Sequence, residues 1–528
     1  AGTLAPTLTG GRGSAVDIIG NEISILGRPN GGTGNELPGG ARIELLAGDL
    51  EGLNADSLLI GATRTLTADG VAIDPRAARI TVADGVDLDT RELILVADQL
   101  TLGTPGAAQS TQLRVSGASA QPGDNLIVDG NASVAMVSVR RGATLTRQAD
   151  ASAAALSVAE GVTLTAPGSL VLDANGDVTL AGTLDADGAT LALGGTSVSL
   201  GETDGRGLNG LVLSNADLAR LTRLRGSDLT LRSGSTLDVY GAVQNGAGAA
   251  HSFERLAIDA QGIVGRDNNG DSARLTADAL VLRNLGGTEL NTATAGDGQL
   301  VLQGEQVVLD SGSFAIQGYA QTHISARDHM LTQDVGELNV TGALTLDAPL
   351  LTAAGGAERR ITTDAALTVS GGAAQAALPA AAGLGAQLSL EAATIDYTGN
   401  IVLPSGQVTL NADGAIALNN GARIDVAGRD VVFASKRVGT SGGIIRAESQ
   451  NAGITVAAGT TLDVSGADAG GTAGRIELIA SQGTLTLSPD AVLRASETGG
   501  DHGEFIVDAA RFTSTVVAEN ALTTLNEL

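Results

Sequence analysis

The chain is written in short apolar-x-apolar triplets set between Gly, Asn and Asp turns. One run reads Leu170-Val171-Leu172, Val178-Thr179-Leu180, Leu191-Ala192-Leu193 and Val198-Ser199-Leu200. A second reads Val408-Thr409-Leu410, Ile416-Ala417-Leu418, Ile424-Asp425-Val426 and Val431-Val432-Phe433. A period of two means strand, with the outer residues of each triplet on one side. Three residues fall short of the usual meander or sandwich strand of about five or six. Triplets that recur after turns of a few residues describe a chain that keeps bending in one direction. The dipeptides Asp69-Gly70, Asn175-Gly176, Asp187-Gly188, Asp413-Gly414 and Asn420-Gly421 are residues that tolerate positive φ. Taken alone they could also close antiparallel hairpins.

A longer repeat argues for winding over hairpins. Gly474-Arg475-Ile476-Glu477-Leu478 returns loosely as Gly503-Glu504-Phe505-Ile506-Val507, and Arg475-Ile476-Glu477-Leu478-Ile479-Ala480 echoes Arg42-Ile43-Glu44-Leu45-Leu46-Ala47. Leu170 to Leu191 and Val178 to Val198 suggest a tighter period of roughly 20 residues. A repeat of this length is the mark of a solenoid. The expectation is an all-β right-handed parallel β-helix, a single continuous rod over 1–528 with three strands and one longer loop per coil. At one paired-strand spacing per coil, it would have about 18 to 25 coils and a length on the order of 100 Å.

Composition fits a narrow interior. Aromatic residues are 2% of the chain and Trp is absent, while Gly is 74 of 528. A wide globular core normally uses aromatic side chains; stacked coils fill theirs with Leu, Val, Ile and Ala. A hydrophobic content of 43% sets the chain apart from a disordered, highly charged tail. The formal charge of −27 repels phosphate and anionic lipid, so no nucleic acid partner is expected. Lys436 is the one lysine. No cysteine occurs, which excludes disulfides, thiolate metal sites and cysteine nucleophiles and suits export of an unfolded chain. No apolar run is long enough for a membrane span. The start at Ala1 lacks the features of a signal peptide, and the expectation is a processed product or an interior piece.

Two stretches break the rhythm. Residues 214–224 offer an N-cap and apolar residues three apart, predicting one short helix outside the coils. Residues 371–386 are Ala- and Gly-rich and predict a loop or small excursion.

The residues Ile454-Thr455-Val456, Gly459-Thr460-Thr461-Leu462-Asp463-Val464-Ser465-Gly466, Gly474-Arg475-Ile476-Glu477-Leu478 and Leu485-Thr486-Leu487 resemble the filamentous haemagglutinin-like large exoproteins of Gram-negative bacteria. Asn54 to Gly61 and Arg91 to Ala97 are similar to the same family, and the resemblance covers nearly the whole chain. It implies two-partner secretion through an outer-membrane transporter barrel and folding at the cell surface or outside. It also implies biofilm or host adhesion, with exopolysaccharide or host-surface glycans as partners. The family's secretion domain carries Asn-Pro-Asn motifs; this chain offers only Pro29-Asn30-Gly31, and the expectation is an interior or truncated segment.

Chemistry-bearing residues are read as ordinary polar ones, with no catalytic residue, cofactor or metal site expected. Asp425, Asp463 and Glu477 stand at triplet centres, where alternation alone places solvated side chains. Of the four histidines, His251, His323, His329 and His502, the pair His323 and His329 would share a strand face only on an unusually long strand; they are read as surface residues. The loops Gly201 to Gly207 and Gly265 to Asp271 are read as turns rather than calcium loops. The expected function is an extracellular structural and adhesive rod segment of a large bacterial surface adhesin, not an enzyme. The rivals are the stalk of a contact-dependent toxin-delivery exoprotein and a carbohydrate-active β-helix enzyme.

Overall fold

The computed structural model describes residues 14–27, 42–147, 154–245, 253–267, 269–290, 294, 296–371, 377–433, 436–496 and 503–514. These residues are all-β, and their strands pair mostly in parallel. Two helices occur among them where one was expected: α1, Ala47–Gly52, and α2, Asn215–Leu221. The chain divides into two compact units, one of Ala1–Asp238 with Asn245–Ala260 and one of Val239–Gln244 with Gln261–Leu528.

In the first unit, three parallel ladders run through successive repeats. Leu170 of strand Ser169–Ala174 faces Leu191 of Thr190–Gly195, then Leu229 of Asp228–Ser233, then Leu256 of Phe253–Asp259. All four leucines are buried. Like side chains stack because parallel in-register pairing sets equivalent residues one above another, and Leu on Leu leaves no gap. Strands Arg79–Val82, Gln99–Leu102, Ala155–Val158 and Val178–Leu180 form the second ladder. Asp87–Thr90, Thr111–Val115, Val162–Thr165 and Thr183–Asp185 form the third.

The register differs from the tighter period read in the sequence at one place. Leu170 does pair with Leu191, but Val178 pairs with Leu211, and Leu211 in turn with Val198. Strand Leu211–Ser214 therefore lies between the two triplets that had seemed to be successive.

This unit also has an outer layer. Strands Ala62–Leu66, Val71–Pro75, Asn125–Val128 and Thr144–Arg147 make a separate sheet over the outward side of the first ladder. Between the layers Leu59, Ile94, Val96, Val134, Met136 and Val171 form a second apolar cluster with Ile73, Leu126 and Val128. Strands Glu92–Ala97, Ser133–Ser138, Ser169–Ala174 and Thr190–Gly195 are consequently buried at every position. Ser133–Ser138 runs antiparallel between two of its neighbours, and Asp69-Gly70 joins an antiparallel hairpin, Ala62–Leu66 with Val71–Pro75. The turns divide by cause. Gly188 and Gly421 lie in the left-handed region, at φ 70° and 87°. Gly176 does not; there a Cβ would sit 2.2 Å from the Ala154 carbonyl oxygen, so close approach of the chain excludes a side chain.

In the second unit a three-strand repeat recurs from about residue 407 onwards. Val408, Ile445, Ile476 and Phe505 pair in sequence. So do Ile416, Ile454 and Leu485, and Ile424, Leu462 and Leu493. The two similar segments near the end, Arg475 to Leu478 and Glu504 to Val507, pair residue for residue at a separation of 29. The fourth triplet of the second run, Val431-Val432-Phe433, joins none of these ladders. Strand Asp430–Phe433 folds back antiparallel on Lys436–Gly439, leaving Val432 66% exposed. Not all strands are triplets: Ser272–Arg283, Gly298–Leu309 and Tyr319–Thr332 are 12, 12 and 14 residues long. Of the stretch 371–386, residues 372–376 lie outside the described residues, and Ala382 makes an isolated antiparallel bridge to Ala354. No helix among the described residues is long and apolar enough to cross a membrane.

Candidate functional site

The triplet-centre acids are not solvated. Asp425, Asp463 and Glu477 are 4%, 9% and 9% exposed. Asp425 pairs in the ladder with Asp463, and Asp463 with Arg494. Two carboxylates stacked on neighbouring strands would repel, so each is neutralised from another side. Asp425 accepts from Arg423 Nη2 at 2.7 Å, Arg429 Nη2 at 2.8 Å and the Ala427 N–H at 2.9 Å. Asp463 accepts from the Ser465 N–H at 3.1 Å and faces Arg494 Nη1 at 3.7 Å. Glu477 lies between Arg446 and Arg475, the latter at 3.0 Å. Alternation predicted which face these acids are on and missed that arginines, some on the same strand and some on a paired one, cover them.

Of the histidines, His251 and His502 lie outside the described residues. His323 and His329 share one 14-residue strand, long enough to carry both. A register shift opposite Gly304 and Gln306 separates their surroundings. His323 stays half-exposed with Nε2 3.9 Å from Asp347, while His329 turns in, 8% exposed, with Nδ1 3.0 Å from its neighbour Asp328. His329 is therefore not a surface residue. Among the described residues no group of three His, Asp or Glu side chains is placed to hold a metal ion. Asn268 of the loop Gly265 to Asp271 lies outside the described residues; Gly201, Gly205 and Gly207 of the other loop have positive φ.

A concave polar surface lies in the first unit, at the outer layer. A groove of about 580 Å³ is bounded by Asp74, Arg76, Asp98, Ile127, Asp129 and Asn131. The hairpin strand Val71–Pro75 supplies Asp74, and the end of strand Asn125–Val128 leads into Asp129 to Asn131. Asp98 sits at the corner between strands Glu92–Ala97 and Gln99–Leu102, and its N–H donates to the Ala77 carbonyl at 3.0 Å. Burial pushes the Asp98 carboxyl above the ordinary carboxylate range. Arg76 is held by Asp74. The Asp98 and Asp129 carboxylates have no hydrogen-bond or ion-pair partner among the described residues, and Asn131 Oδ1 is buried without one. The groove thus presents acceptors in search of donors. A hydroxyl-rich ligand supplies donors at several points, and an acceptor set of this kind would orient it. These residues were not read from the sequence, because the corner and the outer hairpin meet only through the fold.

Compared with protein-family models, curated proteins and solved structures, the chain matches none.

Proposed function

We propose that this chain is a structural and adhesive segment of a secreted bacterial surface protein similar to the filamentous haemagglutinin-like exoproteins, wound as a right-handed parallel β-helix. The observation that carries the reading is the one-to-one parallel pairing of segments one repeat apart, as in Ile445, Ile476 and Phe505. Pairing of this kind builds a stiff scaffold from local repeats. The acceptor-lined groove at Asp98 and Asp129 supports sugars as the bound partner: a hydroxylated polymer offers many weak donors, and repeated contacts raise its avidity. Secretion through an outer-membrane transporter barrel and residence at the surface of a Gram-negative cell follow from the same resemblance.

The test is binding of the purified chain to immobilised bacterial exopolysaccharide and to host glycans, with Asp98→Asn and Asp129→Asn compared in parallel. Loss of retention in the variants supports the reading. Release of reducing or unsaturated sugar ends from the polymer would replace it with an enzymatic one.

A further inference from the structure

A second cleft, sharing no lining residue with the acceptor groove, lies against α2 in the first unit. Ser214 caps this helix: its Oγ accepts the Asp217 N–H at 3.3 Å, and the Asp217 carboxylate accepts the Ser214 N–H at 2.9 Å. The capped helix buries Leu218 and Leu221, 2% and 6% exposed. The turn that follows it, with Arg223 and Leu224, stands opposite strand Thr183–Asp185 and hydrogen-bonds beyond that strand's end, Gly188 N–H donating to the Arg225 carbonyl at 2.6 Å. A cleft of about 390 Å³ is left, floored by Leu180, Leu184, Leu213, Leu221 and Leu224. This volume is at the low end of small-molecule sites, which run from about 300 to 1,000 Å³.

The rim carries four charges, and three are in use. Arg220 reaches Asp217 at 2.7 Å and the Leu180 carbonyl at 3.4 Å, and Asp187 accepts the Arg225 N–H at 3.3 Å. Arg223 is exposed, and its guanidinium has no hydrogen bond or ion pair among the described residues. An apolar floor beside one uncommitted, bidentate cation matches one ligand chemistry, an aliphatic chain ending in a carboxylate.

We propose that this cleft binds a medium-chain aliphatic carboxylate, its tail against Leu180, Leu184 and Leu213 and its head group on Arg223. Titration calorimetry of the whole chain with dodecanoate, kept below its micelle concentration, should show saturable binding at one site. Arg223→Gln should weaken it about tenfold, the loss of one charged hydrogen-bonding partner. Dodecanol should bind the unaltered chain about as weakly as dodecanoate binds that variant. Leu184→Gln, at a half-exposed position, should remove binding while leaving the circular dichroism spectrum intact. Equal affinity of the unaltered and Arg223→Gln chains would overturn the proposal. So would an absence of saturable binding both by calorimetry and by displacement of a fluorescent dansyl-undecanoate probe.

Discussion

Asp173 and Arg232 meet across an intervening strand, because the residue between them in the ladder is Gly194. Asp173 pairs with Gly194 and Gly194 with Arg232. The Arg232 Nε donates to Asp173 Oδ2 at 2.5 Å over the bare glycine. A Cβ on Gly194 would sit 2.0 Å from that same oxygen. Gly194→Ala should therefore force the two side chains apart and cost about 1–3 kcal/mol, as overpacking of a filled interior does. A lower urea midpoint with an unchanged denaturant slope would show it.

Removing the acid itself should cost more. Asp173 is 2% exposed and also accepts from Arg147 Nε at 2.8 Å. Asp173→Asn removes the buried carboxylate that Arg147 and Arg232 share, at a cost of about 3–5 kcal/mol. The effect has a pH signature. Burial pushes the Asp173 carboxyl up, but Arg232 and Arg147 together outweigh burial and hold it below the ordinary range. A lowered acid pKa stabilises the fold fully above the unfolded value of about 3.9, and that stabilisation is lost as pH falls through the folded value. The stability gap between the unaltered chain and Asp173→Asn should be widest at neutral pH and narrow as pH drops below about 4. Equal gaps at pH 7 and pH 3 would refute this account.

Arg359 is an inward-facing cation that serves backbone rather than carboxylates. It is 4% exposed and donates to the carbonyls of Leu309 and Gln333 at 3.0 Å, Gly312 at 3.3 Å, and Asp310. Burial pushes its guanidinium down to about 10, against the pull of Asp310, Asp334 and Glu337, so it stays charged at neutral pH. Arg359→Met keeps the apolar stem and removes the donors. The stranded carbonyls should cost about 3 kcal/mol, read as a fall in Tm that Arg359→Lys only partly restores.

The Leu170, Leu191, Leu229 and Leu256 stack tests the ladder. Leu191 pairs with Leu170 on one side and Leu229 on the other, so a gap opened there cannot close without shifting paired backbone. Leu191→Ala should cost about 3–5 kcal/mol, the upper part of the range for buried leucine. Thr183→Ala, at an exposed position on a neighbouring ladder, should change the urea midpoint little.

Buried Tyr397 donates its hydroxyl to the Arg423 carbonyl at 2.8 Å. Tyr397→Phe leaves that carbonyl without this donor and should cost about 1 kcal/mol, measurable as a small shift in the same unfolding curve.

The amino-acid sequence alone determined that the chain is all-β, that Leu, Val, Ile and Ala fill much of its buried core, and where several registers fall, such as Leu170 on Leu191 and Ile476 on Phe505. Those features were legible because alternation and repeat length are local, and the same local pattern recurs wherever the chain stacks on itself. Even Arg359 carried a signal, since it shares the parity of inward Ile361 and Thr363. Only the tertiary structure decided the outward face. The polarity of Asp173, Asp425 and Asp463 fits solvent, yet each is covered: Asp173 by the outer sheet and Arg232, Asp425 by Arg423 and Arg429 close by in the chain, and Asp463 by Arg494 of the paired strand. The reversed strand Ser133–Ser138 and the groove at Asp98 and Asp129 likewise depend on segments far apart in the chain. Periodicity reports the side a residue faces; what waits on that side is set by long-range packing, which leaves no periodic trace.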